Sequence, residues 1–289
     1  MVDKTQPLNA FSVDLEDWFQ GLTSTNSQTD LWPELESRVV PATKLLLAIL
    51  REHKVLATFF TLGHIADHHP VLVEEVAAAG HEIAVHGYWH RFVSRMTRDE
   101  FAQELDLALA ALFKVTGEQP LGHRAPYFSI NAGTPWAFDV LESRGIQYDS
   151  SVFPTRNMLY GYPEAPRFPC RLGDGASGHS LVEFPVSTAR WLGINWPIGG
   201  GFYVRALPYP FIRSGIEQLN HQGHPAIMYV HPWEIDTEQN YTKVTLRERV
   251  THYHGRRGLT KKLERLFKDL TFSPLRDVLD QGLVGNGHP

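Results

Sequence analysis

Three acids fall within four positions at Asp14, Glu16 and Asp17, directly after an apolar stretch near the start of the chain. Two histidines, His86 and His90, stand four apart at the end of another such stretch, and i, i+4 side chains share one face if the backbone coils through a turn. One carboxylate and two imidazoles form a donor set that suits a divalent cation and leaves positions open for water. Period-2 alternation puts Asp14 and Glu16 on one face of a strand, whereas a bulge at the strand end would bring in Asp17 instead. Glu16 and Asp17 are therefore both candidate ligands beside His86 and His90. A solvated acidic loop is the competing account of the acids.

Two cationic or titratable residues also stand at expected strand ends. Arg124, in Gly122-His123-Arg124-Ala125-Pro126-Tyr127, could anchor a carboxylate bidentately and keep it ionised at neutral pH, or serve as a structural salt bridge. His231 follows the apolar run Ile227 to Val230, where a side chain with an ordinary pKa near neutrality is placed for proton transfer. A satisfied core histidine is the alternative there. His53, His68, His69 and His81 lack a strand-end setting and are expected on the surface or in the core.

The elements that must position these residues follow from pattern and punctuation. Strands are expected at Ala10 to Asp14, Ala57 to Leu62, Glu82 to Val85, near Gln147 to Tyr148, and at Ala226 to Val230. Helices are expected at Pro41 to Lys54, at Val71 to Ala79 stopped by Gly80, and from the Thr97/Glu100 capping box through Phe113, ending near Gly117. Another opens with Thr134 as N-cap and Pro135 at N1 and stops at Gly145, and Pro208 to Gln222 is helical. Val244 to Leu270 reads as a basic, helix-prone tail. Repeated strand-helix alternation predicts βαβ units and a parallel sheet, either a closed barrel or an open doubly wound sheet, with sites at the carboxyl ends of its strands. From about Pro154 to Pro210, dense Pro and Gly around Trp191 and Trp196 predict long ordered loops over short strands.

Composition bounds the rest. The chain has 289 residues, 43% hydrophobic and 20% charged, which is a globular balance long enough for one large α/β domain or two ordinary domains. A net charge of -5 argues against a protein that coats nucleic acid. A single cysteine, Cys170, excludes an internal disulfide. The longest aliphatic run, Leu45 to Leu50, is far short of the roughly 20 residues that span a bilayer, and the start of the chain lacks an apolar leader. A cytoplasmic location and no transmembrane segment are expected, with a homo-oligomer left open.

In chain order, Val13 to Asp17, His86 to His90, Arg124 to Tyr127 and Val230-His231-Pro232 resemble the motifs of the polysaccharide deacetylase family with the NodB homology domain, carbohydrate esterase family 4. The match covers about Phe11 to Trp233. The Val-Asp-Leu-Glu-Asp-Trp-Phe start and the tail after His231 look more particularly like members from exopolysaccharide and exosortase-associated loci, which carry a C-terminal extension. The resemblance implies an α/β fold, a distorted (β/α)7 barrel over residues 1–235 with a C-terminal helical extension over 236–289, and removal of N-acetyl groups from amino sugars of a polysaccharide. It implies one divalent ion, zinc above others, held by His86, His90 and an acid. The family has adjacent aspartates where this chain has Glu16 and Asp17 after Asp14, so the acidic ligand stays open between those two. Asp14 matches the general base, Arg124 the arginine that positions it, Tyr127 the residue whose backbone N–H faces the oxyanion, and His231 the general acid. Relatives with a similar first motif hydrolyse cyclic amides of the allantoin type, and a non-catalytic carbohydrate-binding barrel is the third alternative.

Overall fold

Asn9–Leu15 (β1) is buried along its whole length, as expected for a strand inside a parallel sheet covered by helices. The computed structural model describes residues 8–156, 161–172, 181–239 and 244–281. Its further strands are Thr58–Thr61 (β2), Glu82–Val85 (β3), Gly122–His123 (β4), Tyr148–Asp149 (β5), Cys170–Arg171 (β6), Val182–Glu183 (β7), Thr188–Trp191 (β8), Ile194–Pro197 (β9), Ile227–Val230 (β10) and Phe272–Ser273 (β11). The α-helices are Trp18–Gly21 (α1), Val39–Glu52 (α2), Gly63–His68 (α3), Pro70–Ala78 (α4), Arg98–Thr116 (α5), Trp136–Ser143 (α6), Gly201–Ala206 (α7), Tyr209–His221 (α8), Leu246–Tyr253 (α9), Arg256–Asp269 (α10) and Leu275–Asp280 (α11).

The strands β10-β1-β2-β3-β4-β5-β7 run parallel in that order, with β6 antiparallel on β7 and β11 pairing β1. The sheet curls, and its two ends meet through the stretch after β7. There Val186 N–H donates to Val152 O at 2.9 Å, and Ser187 N–H to Ile227 O at 3.2 Å. The fold is therefore the distorted barrel rather than the flat doubly wound sheet.

Alternation along β1 sorts the core into two shells. Ala10 joins Phe60, Ala84, Tyr148, Val182, Phe184 and Ile227 in one buried cluster inside the curl. Phe11, Val13 and Leu15 join the other, with residues of the surrounding helices such as Leu46, Val73, Leu105 and Ile216. Ser12 and Asp14 share the inward parity of Ala10, so the only charged position on β1 points into the barrel. Leu275 and Val278 of α11 belong to the inner cluster, and Leu275 N–H donates to Thr58 Oγ1 at 2.8 Å.

Most expected elements are present within two or three residues of their predicted ends. Thr97 caps α5, its hydroxyl accepting from Glu100 N–H while Glu100 answers to the Thr97 backbone, an arrangement typically worth about 1 kcal/mol. Gly117 ends that helix with φ 73°. One expectation is corrected. Thr134 does not cap α6: its hydroxyl accepts from Asn131 N–H at 3.0 Å and closes a turn, so the helix starts at Trp136. The basic tail is helical as expected, in two helices, α9 and α10, divided at Gly255 with φ 78°. In the Pro154 to Pro210 stretch, residues 157–160 and 173–180 lie outside the described residues. The rest forms loops around β6 to β9, with β8 and β9 an antiparallel pair, and α7. No helix among the described residues is long and apolar enough to cross a membrane.

Candidate active site

The carboxyl ends of β1, β3, β4 and β10 converge on one cavity of about 130 Å³, whose wall includes Asp14, Glu16, His86, His90, Tyr127 and His231. Ligand atoms of Glu16, His86 and His90 lie within 4.8 Å of one another, all three residues buried. Two backbone devices bring them there. Glu16 keeps the inward parity of Asp14 beyond the end of β1. His90 adopts a left-handed φ of 54°, uncommon for a residue with a side chain and of the kind that tertiary packing must hold in place.

Each donor is fixed by its neighbours. His86 Nδ1 donates to Arg124 O at 2.7 Å, which leaves its Nε2 as a lone-pair donor, and burial lowers its pKa to about 4 despite nearby Asp14 and Glu16. Asn26 Nδ2 reaches His90 Nδ1 at 3.2 Å and donates to His90 O at 2.9 Å, turning the Nε2 edge toward Glu16. Glu16 Oε1 accepts from Trp233 Nε1 at 3.1 Å. Glu16 Oε2 lies 2.6 Å from His90 Nε2, close enough for an ion pair but not aligned for a hydrogen bond, and is otherwise a buried acceptor left unsatisfied. Burial would raise the Glu16 pKa, but His90, His231 and His86 outweigh it and lower the pKa to about 2. An ionised carboxylate with a buried oxygen facing the Nε2 edges of two imidazoles is a donor set that could hold a divalent cation.

Asp17 points elsewhere. It caps α1, its side chain accepting from Trp18 N–H at 2.9 Å, and takes Ser37 Oγ at 2.5 Å and Arg38 N–H at 3.1 Å. Burial raises its pKa to about 6 although those donors pull the other way. The structure thus brings Glu16, and not Asp17, to the two histidines.

Arg124 is fully buried and fixes Asp14. Its Nη1 donates to Asp14 Oδ1 at 2.6 Å and to Ser12 Oγ at 2.8 Å, while Nε and Nη2 donate to Ser150 O and Oγ at 3.1 and 2.8 Å. Asp14 Oδ2 lies 3.9 Å from His231 Nε2 across the cavity. His231 is held by Glu234, whose Oε2 accepts from the His231 backbone N–H at 2.9 Å and lies 3.2 Å from Nδ1. Burial opposes a charge on His231, yet the carboxylates of Glu16, Glu234 and Asp14 together raise its pKa to about 9. Tyr127 lines the same cavity with a left-handed φ of 55° and its ring 4.6 Å from that of His90.

Of the other expected features, Trp191 is half-buried against Phe211, ring centroids 4.4 Å apart, whereas Trp196 is 40% exposed. Trp196 lines a second, larger cavity that shares Phe202 with the first. Sequence reasoning missed Asn26, Ser150, Glu234 and Arg205. Glu234 carried a signal, a carboxylate three residues after His231 at the spacing of a capping box. The others are joined to the site only by the fold.

Residues 33–148 match the profile of the polysaccharide deacetylase family, and residues 150–280 match a domain of unknown function, DUF3473. Residues 33–148 thus carry a polysaccharide deacetylase domain, of the NodB and carbohydrate esterase 4 kind, and residues 150–280 carry the second domain. It is 31% identical to a peptidoglycan deacetylase-like protein of Gibberella zeae over 144 residues, 48% of this chain and 41% of that one. The chain spans 41%, 29%, 46% and 59% of the length of four curated relatives it matches. A crystal structure from Mycobacterium smegmatis, assigned as a polysaccharide deacetylase, superimposes with a TM-score of 0.63 at 23% identity, covering 97% of this chain and 91% of that one. An allantoinase superimposes with a TM-score of 0.60 at 16% identity over the same shares. Both likenesses are of fold alone, so the chemistry rests on the residues.

Proposed function

We propose that this chain is a metal-dependent hydrolase that removes N-acetyl groups from amino sugars of a polysaccharide. The observation that carries the proposal is the buried Glu16, His86 and His90 group standing beside an arginine-held Asp14 and across from His231. The Gibberella relative is named for peptidoglycan deacetylation, which supports the N-acetylated substrate class. A divalent cation held by Glu16, His86 and His90, with zinc favoured by two imidazoles and a carboxylate, would lower the pKa of water toward about 7 and polarise the acetyl carbonyl.

The chain's own residues handle the protons. Asp14, with Oδ1 committed to Arg124, presents Oδ2 as the base that takes a proton from the attacking water. The backbone N–H of Tyr127 is the proposed protein donor to the oxyanion, a type of contact worth roughly 2.7–4 kcal/mol. His231, protonated because three carboxylates surround it, gives its proton to the departing amine as the C–N bond breaks, leaving acetate and the free amino sugar. Trp196 and the groove beside it are the proposed wall for further sugar units, where a flat apolar face fits a pyranose ring.

Acetate release from a panel of N-acetylated oligosaccharides by the metal-loaded protein tests the proposal. Release with accumulation of free amine is expected. Ring opening of a cyclic amide without any acetate release from the panel would replace it with the allantoinase-type chemistry.

A further inference from the structure

Within residues 150–280, which also supply His231, α9 contributes Arg247, Glu248, Thr251 and His252 to the wall of the reaction cavity. Two latches hold α9 there. On one side Glu248 Oε1 accepts from Thr23 Oγ1 at 2.9 Å and Ser24 N–H at 2.8 Å, in the loop that follows α1. Its Oε2 meanwhile accepts from Thr245 N–H at 3.0 Å, capping α9 itself. On the other side Arg205 of α7 reads the far end of the helix. Its Nη2 donates to Thr251 O at 2.5 Å, and its Nη1 to His252 O at 3.2 Å and His254 O at 2.5 Å.

The same guanidinium carries the second half of the connection. Arg205 Nε donates to Glu234 Oε1 at 2.5 Å, and Glu234 Oε2 is the oxygen that holds His231 by its backbone and lies 3.2 Å from its ring. The three nitrogens of Arg205 are thus divided between the carbonyls at the end of α9 and the carboxylate beneath His231. Stacked rings reinforce the path: His252 lies 3.8 Å from Trp233 at 12°, and Trp233 lies 4.8 Å from His231 at 20°. The chain wraps tightly here. A Cβ on Gly255, at the turn into α10, would stand 2.8 Å from Arg205 O, and Lys262 Nζ donates to that same oxygen at 3.1 Å.

We infer that α9 is the roof of the reaction cavity and that Arg205 is a positioning residue, converting the docking of that roof into the orientation of His231. This rests on the deacetylase proposal for the role of His231. Buried carbonyls at a helix end need donors, and a fork that satisfies them and a carboxylate at once makes the two geometries depend on each other. In the absence of the roof contacts, Arg205 would lose the carbonyls that fix its plane, and Glu234 would swing with it.

The full-length, metal-loaded chain tests this with Arg205→Met, Arg205→Lys and Glu248→Gln. Arg205→Met is expected to lower kcat for acetate release at least tenfold, with KM changed less than threefold and metal content unchanged. Arg205→Lys should recover part of the loss, because an ammonium keeps the charge against Glu234 while giving up the fork. Amide exchange across residues 246–253 should quicken in both. Glu248→Gln, which acts from the opposite latch, should lower kcat in the same sense and decides the matter if Arg205→Met does not fold. Wild-type kcat in Arg205→Met or Glu248→Gln, or a loss confined to KM, would overturn the inference. If the wild-type chain releases no acetate at all, the deacetylase proposal falls on its own. The roof is then judged by amide exchange and by modification of His231 with diethyl pyrocarbonate: faster in the variants supports it, unchanged overturns it.

Discussion

Arg124 Nη1 lies 2.6 Å from Asp14 Oδ1, and both side chains are buried at the carboxyl ends of β4 and β1, which β2 and β3 separate in one curled sheet. The guanidinium cannot turn away, because Ser150 binds its other nitrogens and the Phe60 ring lies 4.1 Å beneath it. One carboxylate oxygen is thereby used for structure, and the other is left facing His231.

Asp14→Asn therefore removes both the base and the partner of a buried cation. It should reduce kcat by orders of magnitude while metal content is retained, and cost about 3 kcal/mol or more of stability, because Arg124 stays buried without its counter-charge. Thermal melting and metal analysis on the same sample check this. Near wild-type turnover would reassign the base.

Gly21 is a second lever on the centre. A Cβ there would stand 2.5 Å from Glu16 Oε1, so Gly21→Ala must displace the carboxylate although alanine suits a helix better than glycine. A loss of roughly 10–100-fold in metal affinity is expected, the usual scale for disturbing a group that orients a ligand. Isothermal titration measures it, and unchanged affinity would separate Glu16 from the metal.

The acid and base roles require His231 with its proton and Asp14 without one, so kcat/KM should be bell-shaped in pH. The surrounding carboxylates outweigh burial and raise the His231 pKa to about 9, so activity holds below that limb and is lost as pH rises through it. A cation on Glu16 neutralises one of those carboxylates, which puts the limb lower in the loaded enzyme. Glu234→Gln removes another and should move the alkaline limb further to lower pH. A limb that stays in place would point to a different acid.

Trp196 and Trp191 should behave as opposites. Trp196→Ala should raise KM for longer oligosaccharides and leave the melting temperature nearly unchanged, because the ring is 40% exposed and lines the second cavity. Trp191→Ala should instead cost on the order of 2 kcal/mol, somewhat less than the about 3–5 kcal/mol of a fully buried aromatic. Equal stability losses with no change in KM would remove Trp196 from substrate binding.

How much of this could be seen in the sequence depends on whether the signal is local. The Thr97/Glu100 box, the Gly117 stop and the strand Glu82–Val85 are local, and the fold agrees with them. Alternation along β1 also favoured Glu16, but Asp17 could be set aside only once Ser37 and Arg38 were seen to occupy it. Thr134 looked like a cap because its hydroxyl could serve helix or turn, and the turn at Asn131 claimed it. The pair of Arg205 and Glu234 left no sequence signal, since 29 residues separate them and the contact exists only because α7 lies against the end of β10.

The central claim is that Glu16, His86 and His90 hold one cation that the reaction needs. Zinc titration into the chelated chain, with acetate release followed at each addition, tests it most directly. Activity should rise linearly and level off at one equivalent per chain, and His86→Ala should bind none and stay inactive. Full activity in the chelated protein, or one tightly bound equivalent in His86→Ala, would contradict the account.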